Sequence, residues 1–490
     1  MRLGSNVGAM SEHEGVKTSS HDQSLPARLA EAMRTGWADT GDREVTAAEY
    51  APFHARRRAA LTAAFPGETL VIPTGGLKVR ANDTDYEFRA GSDFFWLTGS
   101  HEPDEVLVLR PDGTSTLYLH PRSPRDTDEF FRDRVYGELW VGRRPTLAEA
   151  SALLDLETAH VEDLEKALTQ LEPATTRVLR GLDAAVDRAV GAPDDGLRDG
   201  ELAAVLSELR LVKDSWELGR LRSAVAATVE GFEDVVRALP ADREVSERLV
   251  DGVFGLRARH DGNTVGYSTI AAAGAHACTL HWVRNDGRVR PGDLLLLDAG
   301  VEDTHLYTAD VTRTLPVNGR FSDVQRRVYD LVHAAQEAGI AAVRPGVPFR
   351  AAHDAAMRVI AEGLAEWGIL PVSAEESLDP QSGLHRRWTL HSTSHSLGLD
   401  VHDCARARDT AYLEGTLAEG HVLTVEPGLY FQADDLTVPE EYRGIGVRIE
   451  DDILVTADGA ENLSAALPRR SDEVEAWMAD LRAKGPRLPG

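Results

Sequence analysis

The chain has 490 residues, 42% of them hydrophobic and 27% charged, with a formal net charge of -27. Such a length exceeds one ordinary core, so two or more domains are expected, and the composition excludes disorder throughout. The acidic balance disfavours phosphate backbones and anionic lipid, no apolar run approaches the ~20 residues that span a bilayer, and Cys278 and Cys404 are too few for a disulfide framework. The start, "MRLGSNVGAMSEHEGVKTSS", lacks the apolar core of a secretory signal. A cytoplasmic protein is expected, with neither nucleic acid nor membrane as partner.

In chain order, residues 1–45 are polar and read as a tail or arm with one helix around "SLPARLAEAMRTGW". Residues 46–200 alternate strand-like runs ("TLVIPTG", "EVLVLRP", "STLYLHP") with helix-like runs ("EYAPFHARRRAALTAAF", "TLAEASALLDL"), which predicts a small α/β domain. In it, "WVGRR" carries Arg143 and Arg144, read as a solvated basic pair, with reach into a neighbouring subunit's cleft as the alternative. "VGAPDDGLRDG", 190–200, gathers Gly, Pro and Asp and reads as a linker. The rest, 201–490, opens with two helices broken around Lys213 and Asp214. It continues with helices over 321–343 and 348–368, interleaved with strands that lack a βαβ rhythm, so an α+β architecture with an antiparallel sheet is predicted.

Two aspartates stand out in those strands. Asp298 closes "LLLLDAG", and Asp310 sits in "YTADVTRTLPVNG", with the short polar connection "VEDTHL" between the runs. Neighbouring antiparallel strands would let the two carboxylates face each other, and such a pair repels unless one is protonated or a cation intervenes. Turn capping, or pairing with arginines such as Arg313, is the alternative for the pair taken alone. Downstream, "HSTSHSLGLDVHD" adds His391, His395 and His402, "VLTVEPGLY" adds Glu426, and "GVRIEDDILVT" adds Glu450. Four carboxylates and an imidazole suit Mn, Co, Fe or Zn and are unlike the thiolates of a structural zinc site. His260 and His305 are assigned no role.

With Asp298, Asp310, His395, Glu426 and Glu450 in these contexts, residues 200–470 resemble the metal-dependent aminopeptidase P and prolidase family. "RANDTDYEFRAGSDFFWLTGSHEPDEVLVL", 80–109, is similar to that family's amino-terminal domain. The resemblance implies a pita-bread catalytic domain, a curved antiparallel sheet with flanking helix pairs, behind a smaller α/β domain that aids oligomerisation and cleft closure. It implies two divalent metal ions, manganese by expectation. Asp298 would sit on one and His395 with Glu426 on the other, Asp310 and Glu450 would bridge, and a hydroxide would be held between the ions. His281 of "TLHWVRNDG", with His391 and His402, would line the substrate site. His402 would contact the scissile carbonyl and Glu426 would move the proton. Arg448, two residues before Glu450 and so on the same strand face, either orients a metal carboxylate or makes a plain ion pair, and Tyr430 is a further candidate for supporting the ligands.

The activity implied is that of an Xaa-Pro aminopeptidase, cutting between an N-terminal residue and a following proline, in a homo-oligomer (dimer or tetramer). A prolidase restricted to Xaa-Pro dipeptides shares the five ligands, but "YEFRAGSDFFWLTG" and "WVGRR" look more like aminopeptidase P. A non-catalytic pita-bread protein would have lost ligands, and none is lost here. One departure is "HSTSH", which places Ser392 and Ser394 where the family often has glycine near the first histidine.

Overall fold

A computed structural model describes residues 25–38, 40–191 and 197–489. The chain divides into two compact units, one ending at Asp199 and the other beginning at Gly200. In the first unit, α1 (Ala27–Met33) buries Ala30 beside Phe130 and Phe131. The helix α2 (Ala51–Ala64) precedes five strands: β1 (Thr69–Pro73), β2 (Val106–Leu109), β3 (Ser115–Leu119), β4 (Glu157–His160) and β5 (Thr176–Val178). Their order is β4-β3-β2-β1-β5, antiparallel in the middle and parallel at both edges. Val71, Val106, Val108 and Val178 fill the core on one of its faces.

Before β4 runs α3 (Leu147–Leu154), begun by a capping box of Thr146 and Glu149. Glu149 also accepts both terminal nitrogens of Arg143 at 2.9 and 2.6 Å. Arg144 is 8% exposed and lies 3.0 Å from Glu102. Neither arginine is the solvated pair expected from the sequence, because each has a carboxylate within reach. Of the expected linker, 192–196 lie outside the described residues, as do 1–24 of the tail. Residues 197–200 are the first turn of a helix.

That helix, α4 (Leu197–Arg210), is followed by α5 (Ser215–Ala238). The break falls at Lys213 and Asp214 because Asp214 Oδ1 accepts from the backbone of Trp216 and Glu217, while Glu217 Oε2 accepts from the Asp214 N–H. Next come α6 (Glu247–Asp261), the strands β6 (Ile270–Ala273), β7 (Leu294–Ala299) and β8 (Val311–Pro316), and the helices α7 (Asp323–Ala342) and α8 (Ala351–Glu366). The strands β9 (Val422–Val425), β10 (Gly428–Phe431), β11 (Ile445–Arg448) and β12 (Asp451–Val455) and the helix α9 (Ser471–Lys484) complete the unit. Helices α6 and α9 were not anticipated. Gly252 and Gly255 dilute the helical signal of α6.

The strands are antiparallel, in the pieces β6-β7-β8, β9-β12 and β10-β11, joined by single bridges such as Thr312 to Glu450. Helix α5 packs on α6 and α7 on α8. The first pair shares a buried apolar cluster with β6, β7 and β8, the second with β10 and β11. This is the α+β pita-bread arrangement. No helix among the described residues is long and apolar enough to cross a membrane.

Candidate metal centre and active site

The register of β7 against β8 sets Asp298 opposite Thr312. Asp310 stands just before β8, two residues from Thr312, so alternation directs it to the same face as Asp298. The connection between the strands is not a plain hairpin: Val301–Glu302 pairs instead with Thr264–Val265. Gly300 allows the chain to pass, since a Cβ there would lie 1.7 Å from the Ala309 carbonyl oxygen. Glu450 joins the same face through Thr312, whose hydroxyl donates to Glu450 Oε2 at 2.6 Å.

His395 and Glu426 complete the group. His395 Nε2 is 3.3 Å from Asp310 Oδ2 and 3.4 Å from Glu426 Oε1. Its Nδ1 lies 3.2 Å from the Ser396 carbonyl, which only accepts, so Nδ1 carries the proton and Nε2 faces the carboxylates. Ligand atoms of Asp310, His395 and Glu450 lie within 4.8 Å of one another.

The electrostatics of the group are unbalanced. Three buried carboxylates and the half-buried Glu426 share one guanidinium, that of Arg448, whose Nη2 bonds Asp298 Oδ2. Burial pushes Glu450 well above the usual carboxylate range, and Asp310, Glu426 and Asp298 push it further. Burial likewise raises Glu426 to about 7 against the opposing charge of His395. Burial disfavours charging His395, yet Asp310 and Glu426 outweigh it and lift the imidazole to about 9. Asp452 Oδ1 is buried with no hydrogen-bond partner among the described residues. This surplus of oxygen donors around one imidazole fits divalent cations, and the protein is a divalent-metal binder.

Tyr267, which sequence reasoning missed, reaches both aspartates: its hydroxyl lies 2.7 Å from Asp298 Oδ1 and 2.5 Å from Asp310 Oδ1. One proton cannot serve two carboxylates fully, so the tyrosine orients both while leaving charge uncompensated. Its only signal was its place shortly before the strand that pairs with β7. Thr312 and Thr424 were missed as well. The Thr424 hydroxyl accepts the His395 N–H at 3.2 Å and donates to Glu426 at 3.4 Å.

The other expected residues separate into two groups. His391 is woven into the wall: its Nδ1 is 2.8 Å from the Ser392 carbonyl and its Nε2 2.8 Å from the Tyr430 hydroxyl, which also takes Arg448 Nη1 at 3.0 Å. Nδ1 therefore donates, Nε2 accepts from Tyr430, and Tyr430 accepts from Arg448. Burial and then Arg448 lower His391 to about 3, so it is neutral. Ser392 and Ser394 bond within the same loop, the Ser392 hydroxyl donating to the Ser394 carbonyl at 3.1 Å. His281 and His402, by contrast, have exposed rings and no side-chain hydrogen bond among the described residues. His402 packs edge-on against His395 at 4.5 Å between centroids. Burial, then the charge of His395, lowers its pKa, and His281 lies close enough to act in the same direction.

Comparison with known proteins shows the family of the chain. Residues 219–457 match the metallopeptidase family M24, and residues 54–179 match the aminopeptidase P N-terminal domain. Xaa-Pro aminopeptidase 1 of Streptomyces coelicolor is 59% identical over 457 residues, covering 93% of this chain and 92% of the relative. The Xaa-Pro aminopeptidase of Escherichia coli is 34% identical, covering 88% of this chain and 98% of the relative. Among solved structures, proline aminopeptidase P II from Yersinia pestis superposes with a TM-score of 0.78 at 34% identity, covering 88% of this chain and 99% of its own. E. coli aminopeptidase P with the inhibitor Pro-Leu gives 0.77 at 32% identity, covering 90% of this chain and all of its own. With its carboxylate-rich centre and its match along nearly the whole of these relatives, the chain belongs to the aminopeptidase P group of metallopeptidase family M24.

Proposed function

We propose that this protein is an Xaa-Pro aminopeptidase that releases the N-terminal residue from peptides with proline in second position. The observation that carries the reading is the convergence of Asp298, Asp310, His395, Glu426 and Glu450 on one face with a single guanidinium among them. Two relatives bearing that activity in their names are 59% and 57% identical along most of the chain. Asp298 would hold one divalent cation and His395 with Glu426 a second, with Asp310 and Glu450 shared; manganese is the expected ion. Bound there, such a pair supplies Lewis acidity and a water nucleophile at neutral pH.

The chain's own residues supply the rest. The free α-amino group of a peptide would be held at the cation pair or by an acidic side chain beside it, which selects chain ends. Exposed and neutral at pH 7, His402 donates an imidazole N–H to the scissile carbonyl oxygen as charge develops there, with His281 beside it. Glu426, whose carboxylate lies beside His395 at the centre of the group, would take a proton from the attacking water and pass it to the leaving nitrogen. Arg448, Tyr430 and His391 form a fixed chain that holds Asp298. Proline has no amide N–H and a fixed φ, so a site that grips neither succeeds where other peptidases fail. The same reading places the protein in the cytoplasm, consistent with its two buried free cysteines, as a homo-oligomer. Hydrolysis of a tripeptide Xaa-Pro-Xaa against the dipeptide Xaa-Pro, after metal removal and after adding manganese, tests it. The tripeptide is cut only with metal; cleavage of the dipeptide alone would make the protein a prolidase.

A further inference from the structure

We propose that Glu247 is a positioning residue for His281, acting through the Trp282 side chain that it anchors; this rests on the reading of His281 as a substrate-facing imidazole. Glu247 is the first residue of α6, and its side chain is fully buried. Oε1 accepts from the Ala273 N–H at 3.0 Å and from His276 Nδ1 at 2.8 Å. Oε2 accepts from Trp282 Nε1 at 2.8 Å and from the Gly287 N–H at 2.7 Å. The Glu247 N–H in turn donates to the Gly287 carbonyl at 3.1 Å. No lysine or arginine among the described residues pairs with it. A buried carboxylate is tolerated here because four donors meet its two oxygens.

Those donors lie along one piece of chain. Ala273 ends β6, His276 lies in the turn Gly274–Cys278, Trp282 follows His281, and Gly287 precedes the short strand Arg288–Val289. One carboxylate therefore ties both ends and the middle of the connection that carries His281. The His276 and Trp282 rings stack at 3.8 Å and 24°, so the two side-chain donors also brace each other. At Gly287 a Cβ would lie 2.5 Å from His276 Cε1 and 2.8 Å from Glu247 Oε2, so no side chain fits. Asn285 adds a second tie to β6, its Oδ1 accepting from the Ala271 N–H at 3.0 Å and its Nδ2 donating to the Thr269 carbonyl at 2.9 Å.

His281 has no such support of its own. Its ring is exposed and makes no hydrogen bond among the described residues, and its carbonyl accepts from the Val283 N–H at 3.0 Å. The direction of the imidazole is thus inherited from the backbone beside Trp282. In Glu247→Gln an amide N–H₂ would replace one acceptor and face either the indole and the Gly287 N–H or the Ala273 N–H and His276, so at least one tie of the connection is lost. None of these residues belongs to the carboxylate cluster, so the effect should bear on substrate handling and leave metal binding alone.

A double-mutant cycle on kcat/KM for an Xaa-Pro-Xaa tripeptide, with manganese affinity measured by calorimetry, tests the proposal. His281→Ala is expected to lower kcat/KM, and Glu247→Gln to lower it by about tenfold, with less than about twofold further loss when Glu247→Gln is added to His281→Ala. Manganese affinity stays unchanged throughout. Trp282→Phe, which removes the indole donor and keeps an aromatic ring beside His276, shows the same pattern and carries the test if Glu247→Gln does not fold. Losses that multiply in the double variants, or a fall in manganese affinity, overturn the proposal while leaving the role of His281 intact. If His281→Ala alone has no effect, the reading of His281 fails and the proposal fails with it.

Discussion

Glu450 and Asp451 are neighbours in the sequence and lie in two opposite electrostatic worlds. Asp451 points to the back of the sheet, where Oδ1 accepts from Arg313 Nη2 at 2.7 Å and Ser464 Oγ at 2.6 Å, and Oδ2 accepts from Gln336 Nε2 at 2.9 Å. Arg313 spends its remaining donors on the carbonyls of Thr312, Glu450, Leu467 and Pro468. Every strong charge there has a partner. Glu450 points to the front, where four carboxylates face Arg448 and His395. The strand offers the same backbone to both. A saturated network holds the fold together, whereas a deficit of positive charge creates a demand that only something from outside the chain can meet.

Exchanging the character of the two sides should produce opposite phenotypes. Glu450→Gln is expected to lower manganese-dependent peptide hydrolysis by about three orders of magnitude, as on removing a principal electrostatic stabiliser, while raising the melting temperature of the metal-free protein. A fall in both would mean that the front cluster is balanced after all. Asp451→Ala should do the reverse. Left unpaired and buried, Arg313 should cost about 3–5 kcal/mol in urea unfolding, with metal stoichiometry kept. A cost near zero would contradict the saturated network.

Tyr267→Phe sharpens the comparison at the border of the front cluster. Losing the hydroxyl that reaches Asp298 and Asp310 should weaken manganese binding by ~10–100-fold in a calorimetric titration, with the fold intact. Unchanged affinity would show that the tyrosine only fills space.

The smallest effect concerns pH. In the metal-free protein burial raises Glu426 from its ordinary 4.5 to about 7 and raises Glu450 well above its ordinary range. A carboxyl raised on folding keeps its proton where the unfolded chain has lost it, so stability falls as pH rises above 4.5, for Glu426 until about 7. His395, raised to about 9 from 6.5, contributes stability that is full below 6.5 and lost toward 9. Both terms have the same sign. Histidines held neutral by burial, such as His391 and His402, act in the opposite sense below 6.5, so the melting temperature of metal-free protein should decline from pH 7 to 9, and saturation with manganese should flatten that decline; a metal-free profile rising with pH across that range would refute the assignment.

The acidic half of the front cluster is legible in the sequence because carboxylates in apolar strands are costly and therefore conspicuous. The α4–α5 break is legible because a capping box is local. What failed was nonlocal or ambiguous in type. Arg313 was the arginine named for the aspartates, yet strand alternation turns it from Asp310 toward Asp451, and Arg448 meets Asp298 instead. Tyr267 reads as any loop aromatic until the strand Ile270–Ala273 is set against β7. His391 stands in a run of histidines that all read alike. Only the fold supplies the Tyr430 hydroxyl that occupies its second nitrogen. The pairing of Val301–Glu302 with Thr264–Val265 joins segments whose register nothing local specifies.

Titration of metal-free protein with manganese, following bound ions by calorimetry and Xaa-Pro-Xaa hydrolysis in the same samples, bears most directly on the charge deficit at Asp298, Asp310, Glu426 and Glu450. Two ions bound per chain, with hydrolysis absent at the start and rising as they bind, is the predicted result. Full hydrolysis without metal, or no binding of any divalent ion by a folded chain, would contradict it.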